Sequence, residues 1–446
     1  MTLLLCAQWA WAEGFKTAGE GKTYSFQTLA EINASGVTLS ANGYLMASDV
    51  TIAEGDKLAM DDGVMVAFAN NVKLTIEGDA DFRLSEGSVF KASDVENAQG
   101  MSIRIKSKMT TEFEHCEFHH VGLELMAEGA TNIRRCDFYD HDGSTAAAVY
   151  FINAGIASVI EGCHFENCRK AAIGSAANAS QPLTIKDCEV VRNSTNNGNI
   201  PQINITAASP LVISGCTITG NPANTMVGGI GISNFMSYSA DVSISNCTIS
   251  DNRYGIGLVG PAASISIVNN TLKDNRYETN PMNGGSGISL YDPYQQTCAT
   301  ITGNHIEGSL WGVTIIGCKD VNLGRVDVAE TDEHYNPGGN TFKDNGNSGQ
   351  FYDLYNNSTL TVYAQGNRWN VSEQTKEQIE SVVFHKNDDA SLGEVIFWPA
   401  AQSNGITAVS GKRQDVREYF YNLKGQRIGA PDRKGIYIQN GRKVVL

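Results

Sequence analysis

The chain has 446 residues, of which 45 are glycine and only 18% are charged. Its 48 acidic side chains outnumber 33 basic ones, and the resulting net charge of −15 argues against nucleic acid as a partner, which is held by basic patches. No apolar run is long enough to cross a membrane as a helix, so no transmembrane segment is expected.

Met1–Ala12, MTLLLCAQWAWA, is a short apolar run ending in Ala10-Trp11-Ala12. It resembles a secretory signal with a small-residue cleavage site, which implies a mature start near Glu13. The positive opening of such signals is missing, which leaves an upstream start codon open. Residues 13–50 read as an N-terminal cap, with Tyr24–Ile32 at its centre. A solenoid needs one, because an uncovered strand edge pairs with other chains. Residues 51–400 read as the solenoid itself with a closing cap. VTIAEGDKLAMDDGVMVAF and VKLTIEGDADFRL alternate with the period of half-buried strands.

From about residue 101 the alternation is punctuated by a recurring corner. Cys116, Cys136, Cys163, Cys188, Cys216, Cys247, Asn270, Asn304, Asn340 and Asn367 recur at a mean spacing of about 28 residues, a repeat-array period. The preceding residue is mostly Gly, Asn or Asp, types that tolerate a positive φ. A unit this short cannot bury its own apolar face and needs copies stacked on both sides. The pattern resembles the right-handed parallel β-helix of the pectate-lyase-like superfamily, in which asparagines stack inside a turn. Asn270, Asn304, Asn340 and Asn367 would form that stack, with cysteines replacing it in earlier coils. The resemblance spans roughly residues 40–400. It implies an all-β fold: a right-handed parallel β-helix solenoid of about thirteen rungs. It says little of function, because the fold carries lyases, hydrolases, epimerases and adhesins. The cysteines read as small buried fillers, mostly free thiols, because parallel side chains on adjacent rungs rarely offer a disulfide torsion.

After Trp369 the period changes. Ser372–Phe384 has helical spacing and reads as a short C-terminal capping helix. Residues 401–446 read as a linker and a small β tail. Tyr421-Asn422-Leu423 with Gly425-Gln426-Arg427-Ile428, then Lys434-Gly435-Ile436-Tyr437-Ile438 with Asn440-Gly441-Arg442-Lys443-Val444, resemble the C-terminal sorting tails of secreted Bacteroidetes proteins. That resemblance implies recognition by an export machinery and a place outside the cell or on its surface.

Strand alternation places side chains on the outer face. With the corner residue inward, one outer column holds Glu117, Asp137, His164 and Glu189, and the next holds His119, Tyr139 and Glu166. His120, Asp140, His141, Asp142, Arg169 and Lys170 lie in nearby turns. Two readings stand. One is a site for an acidic polysaccharide, with His164, Glu166, Arg169 and Asp137 as catalytic candidates and Glu117, Asp137 and Glu189 as oxygen ligands for Ca2+. The other is a solvated charged face. Asp140-His141-Asp142 resembles the D-P-H-D motif of mannuronan epimerases but lacks its proline. Along a different sheet the loops carry Tyr238, Tyr291, Tyr294 and Trp311, which suit stacking on sugar rings. Gly255–Gly260 fits G-x-G-x-x-G, but Pro261 and another strand follow instead of a helix, so no dinucleotide site is implied. The signatures of polygalacturonases and pectate lyases are missing. The leading expectation is a secreted or cell-surface protein that binds a polysaccharide or cell-surface glycan without catalysis. The alternative is a lyase, hydrolase or epimerase acting on an acidic polysaccharide.

Overall fold

The computed structural model describes residues 14–401, apart from 154, 207, 235–239 and 261–263, together with short tail strands. The leader expected at 1–12, the linker and Tyr238 therefore lie outside the described residues. The chain forms two compact units, Met1–Gln402 and Ser403–Leu446.

The first unit is a parallel β-helix. One face is a 14-stranded sheet, with one strand from each rung. It runs from Phe15–Lys16 through strands such as Ala171–Ser175, Ile230–Ser233 and Ile256–Val259 to Val383–Phe384. The count is close to the thirteen or so rungs expected. Phe15–Lys16 pairs in parallel with Val50–Thr51, so the first rung begins inside the stretch read as a cap. The capping element is the helix Phe26–Ala30, which buries Phe26 and Leu29. Ser25 opens it with a capping box, each partner's side chain bonding the other's backbone N–H.

The second face is built from strands such as Thr131–Arg134, Ser158–Glu161 and Leu211–Ser214, which alternate buried and half-buried residues. The third carries three-residue strands: Asp137–Tyr139, His164–Glu166, Glu189–Val191, Thr217–Thr219 and their successors. Each is short because a bend stands at both ends. The residue before every corner has a positive φ, including His115 at 56° and Arg135 at 50°, the latter a type uncommon in that conformation. Four residues beyond the corner a second positive φ follows in most rungs, at His120, Asp140, Asn167, Arg192, Asp251, Asp274, Gly308 and Asp344.

Both bends are held from inside. In the first ladder the Oδ1 of each asparagine accepts the backbone N–H of the preceding rung's corner. The distances are 2.9 Å for Cys247 to Asn270, 2.9 Å for Asn270 to Asn304, 3.0 Å for Asn304 to Asn340 and 2.9 Å for Asn340 to Asn367. The amide nitrogens of Asn270, Asn304 and Asn340 donate to the carbonyls of Ile244, Ile267 and Ile301. The cysteine half has no such donors. Its thiols point at the carbonyls two residues back, at 3.2–3.4 Å for Cys188, Cys216 and Cys247. The nine described cysteines are free, and all but Cys298 are buried.

A second ladder, unanticipated from sequence, stands behind the second bend. Asn193, Asn252, Asn275 and Asn345 are buried there. The N–H of Cys168 bonds Asn193, that of Asn252 bonds Asn275, and that of Ser309 bonds Asn345. Between the ladders the inward residues of the three-residue strands stack. Phe118–Phe138 and Phe138–Phe165 have ring centroids 4.5 and 4.7 Å apart.

The rod closes on the helix Lys376–Glu380, shorter than the expected Ser372–Phe384, with Thr375 as its N-cap. Buried Trp369 stacks on Phe342 at 5.1 Å. Asp353 is fully buried here and accepts from the Asn370 N–H at 2.7 Å and the Asn345 side-chain amide at 3.1 Å. Burial pushes its carboxyl up to about 7, against those two donors. The second unit is a four-stranded antiparallel sheet, ordered Arg427–Ile428, Phe420–Tyr421, Ile436–Gln439, Arg442–Val445.

Two outcomes are expected. Cys247→Asn keeps the fold, because its amide would meet the Ile213 carbonyl now facing the thiol. Asn304→Ala, in contrast, strips a buried N–H and four further partners of a bond each and costs at least about 2 kcal/mol by chemical denaturation. If the two variants melt alike, the ladder is not what holds the corners. The second outcome concerns Asp353, whose carboxyl is raised in the fold. Its stabilising contribution is complete below the unfolded value near 4 and is lost as pH rises toward 7. Wild type minus Asp353→Asn stability should fall by on the order of 3 kcal/mol between pH 4 and pH 8, and a flat difference refutes the assignment.

Candidate functional site

On the third face the strand register aligns the charged columns. Glu117 pairs with Asp137, Asp137 with His164, and His164 with Glu189. The second column runs His119, Tyr139, Glu166. His164 sits between carboxylates, with Nδ1 3.0 Å from Glu189 Oε2 and Nε2 3.3 Å from Glu166 Oε2. Glu166 also takes a salt bridge from Arg192, which stands on the next rung at the second bend. Tyr139 lies between the rings of His119 and His164, at 5.0 and 5.5 Å. Burial pushes the Asp137 carboxyl above its usual range; His164 pulls it back and Glu117 adds to the rise.

The columns therefore bring His164 and Glu166 together with Asp137 on the neighbouring rung, but not with Arg169. The guanidinium that meets Glu166 is that of Arg192. Arg169 is exposed and lies round the second bend, in an open cleft of about 310 Å3 with His120, Asp140 and Asn167. His141 lines the same cleft, yet is only 1% exposed and stands at the second-ladder position. Burial lowers its imidazole to about 4, so it is held neutral. The Ca2+ ligand set expected from sequence does not converge either. Glu189 is separated from Asp137 by the whole His164 rung. Among the described residues no three His, Cys, Asp or Glu side chains gather as a metal ion requires.

The first face carries a deeper feature, a cleft of about 370 Å3. Its floor is the outward column Gly257, Ser289, Thr314, Tyr355, one residue per rung. The floor is low because Tyr254 lies flat against it. A Cβ on Gly228 would stand 2.1 Å from the Tyr254 ring, and one on Gly257 would stand 2.8 Å away. Burial pushes the Tyr254 hydroxyl up to about 12. Trp311 forms the aromatic wall. Its Nε1–H donates 2.9 Å to the Pro281 carbonyl and its ring stacks on Tyr352 at 5.7 Å, with Tyr355 at 5.1 Å. Tyr355 is backed in turn by Phe384 at 4.5 Å.

Of the stacking candidates, Trp311 lines this cleft. Tyr291, 42% exposed, pairs in register with Val259 and Ile316 of the cleft rim. Tyr294 is 71% exposed at the tip of a turn organised by the Asp292 carboxylate, which accepts its N–H. Tyr238 lies outside the described residues. Tyr254 and Tyr355 were missed from sequence. The alternation in FYDLYNN does turn Tyr355 outward, whereas nothing local announces that Tyr254 folds back over glycines of neighbouring strands.

Residues 35–200 and 190–292 match the family described as right handed beta helix region. No curated protein sequence matches the chain. Similar solved structures include the crystal structure of the periplasmic alginate epimerase AlgG, 10% identical over 84% of this chain and 83% of that chain, with a TM-score of 0.41. A single-substitution mutant of AlgG is 11% identical over 84% of this chain and 82% of that chain, with a TM-score of 0.45. At these values no chemistry transfers from those proteins to this chain.

Proposed function

Since the chain belongs to the right-handed β-helix family, which fixes a fold and leaves the activity open, we propose from the sites themselves that it is a glycan-binding protein acting outside the cell or at its surface. The observation that carries this reading is the first-face cleft. It offers a fixed indole and phenol for the apolar face of a sugar ring, beside hydroxyl and amide groups from Ser289, Thr314 and Asn357 for its hydroxyls. Its walls need little ordering on binding, because Trp311 is already clamped by Tyr352 and the Pro281 carbonyl.

Catalysis on an acidic polysaccharide is the second reading, and the other cleft is what favours it. Arg169 is placed there to neutralise a uronate, beside Asp140 and His120. His164 and Glu166 are less suited, because their polar atoms are already engaged with one another, with Glu189 and with Arg192.

The test is a panel of neutral and acidic glycans presented to the full chain, with retention and product formation followed together. Retention of one glycan, weakened at least tenfold in Trp311→Ala with its melting temperature checked, supports binding at the first-face cleft. Release of unsaturated or shortened product, lost in Arg169→Ala and kept in Trp311→Ala, would replace that reading with the enzyme. We further propose that Ser403–Leu446 directs export and surface sorting, on its resemblance to known sorting tails. Its removal should shift the protein from the cell surface to the medium or the cell interior while the rod still melts within a few degrees of the full chain. Unchanged surface display would end that proposal.

A further inference from the structure

We infer that the first-face cleft takes an uncharged saccharide, and that Arg253 is a strap across its wall and not a docking point for a carboxylate. The inference rests on the glycan-binding reading above. Among the described residues lining the cleft, Arg253 is the one charged side chain. A lone arginine in a sugar-sized cleft would ordinarily point to a uronate, because its planar fork grips a carboxylate with two parallel bonds. Here the Nε–Nη2 edge of that fork is occupied, and three of the five N–H groups are engaged. Nε donates to the Asn283 carbonyl at 2.8 Å, and Nη2 donates to the same oxygen. Nη1 donates to Asn199 Oδ1 at 2.7 Å.

These acceptors belong to two separate insertions, 30 and 54 residues from Arg253 in sequence. One arginine thus ties together the loops that rise from the first face on different rungs. Asn283 follows directly on Pro281 and Met282, and the Pro281 carbonyl is what fixes the indole. A carboxylate seeking the Nε–Nη2 edge, the side-on geometry of a bidentate pair, would have to displace the Asn283 carbonyl and loosen the loop that fixes Trp311. The rest of the lining offers no substitute cation. Ser289, Thr314 and Asn357 are all neutral. The net charge of −15 adds a long-range repulsion against a polyanion that a neutral chain does not feel. Acidic polymers therefore find in this cleft one cation whose side-on edge is already taken and, among the described residues, no second one.

The experiment is calorimetric titration of the full chain with xylo-, cello- and manno-hexaose, and with oligogalacturonate and oligomannuronate of the same length, at low and at physiological salt. At least one neutral series should bind tenfold or more tighter than either uronate, with little dependence on salt. Arg253→Gln should weaken that binding by loosening both loops. Ser289→Lys, which puts an unpaired ammonium on the floor without touching the strap, should raise uronate affinity at least fivefold. Uronates binding tighter than neutral sugars in the wild type, with a steep salt dependence and loss in Arg253→Gln, would overturn the inference. If that uronate binding is also lost in Trp311→Ala, the glycan reading survives and only the ligand class falls. Silence on every oligosaccharide would remove both.

Discussion

Everything in the rod depends on one local problem: a chain that must turn two corners within about five residues, with the corner N–H groups facing a dry interior. A buried backbone donor without an acceptor costs as much as a lost hydrogen bond, and every rung repeats the demand. The solution is a side chain from the next rung. Asn304 serves the corner at Asn270, and Asn340 serves that at Asn304, so each coil completes the one before it. Where the corner residue is cysteine the acceptor is weaker: the Cys136 sulfur takes the Cys116 N–H at 3.5 Å, with the stacked Phe118 and Phe138 following on the same rungs. The register that follows is what lines up the outer columns, and hence what makes any site on the surface possible.

That dependence explains what could be read from the sequence. The corner at Cys163 or Asn270 is legible because it imposes residue types: a small or amide side chain inward, and before it one that tolerates a left-handed backbone, such as Gly162 or Asn269. The pairing of Asp137 with His164, and of His164 with Glu189, then follows from alternation alone. The second ladder was hidden because its positions hold Val121, His141, Cys168 and Asn193 in successive rungs, a set with no common letter. What these share is a place inside the bend. His141 shows the hazard plainly. Between two aspartates it looks like chemistry, and it is a buried, neutral member of the scaffold.

The clefts were less legible than the rod because they are made by insertions rather than by the repeat. Trp311 shares the parity of the inward Val313 and Ile315, so alternation does not turn it outward; its orientation depends on Pro281, and the wall on Arg253 reaching to Asn199 and Asn283. Such contacts cross rungs through loops of irregular length, where period carries no information. Arg169 and Glu166 are three residues apart in sequence, yet the bend at Asn167 sends them to different sides of a corner. Arg192, from the following rung, is brought to Glu166 in its place.

One rung does not follow the second ladder. Where an inward asparagine would be due, Asn221 stays at the surface and bonds its own loop. Gln202, from a different strand face, fills the gap: its oxygen takes the Asn193 N–H and its amide donates to Asn252. The interior thus tolerates a default, provided some neighbour can reach the vacant position. Relieved of its inward duty, the chain after Gly220 is free to change length and composition without the core registering it. Such positions are where a solenoid can acquire new surface features over evolutionary time, because selection on the loop and selection on the scaffold have come apart.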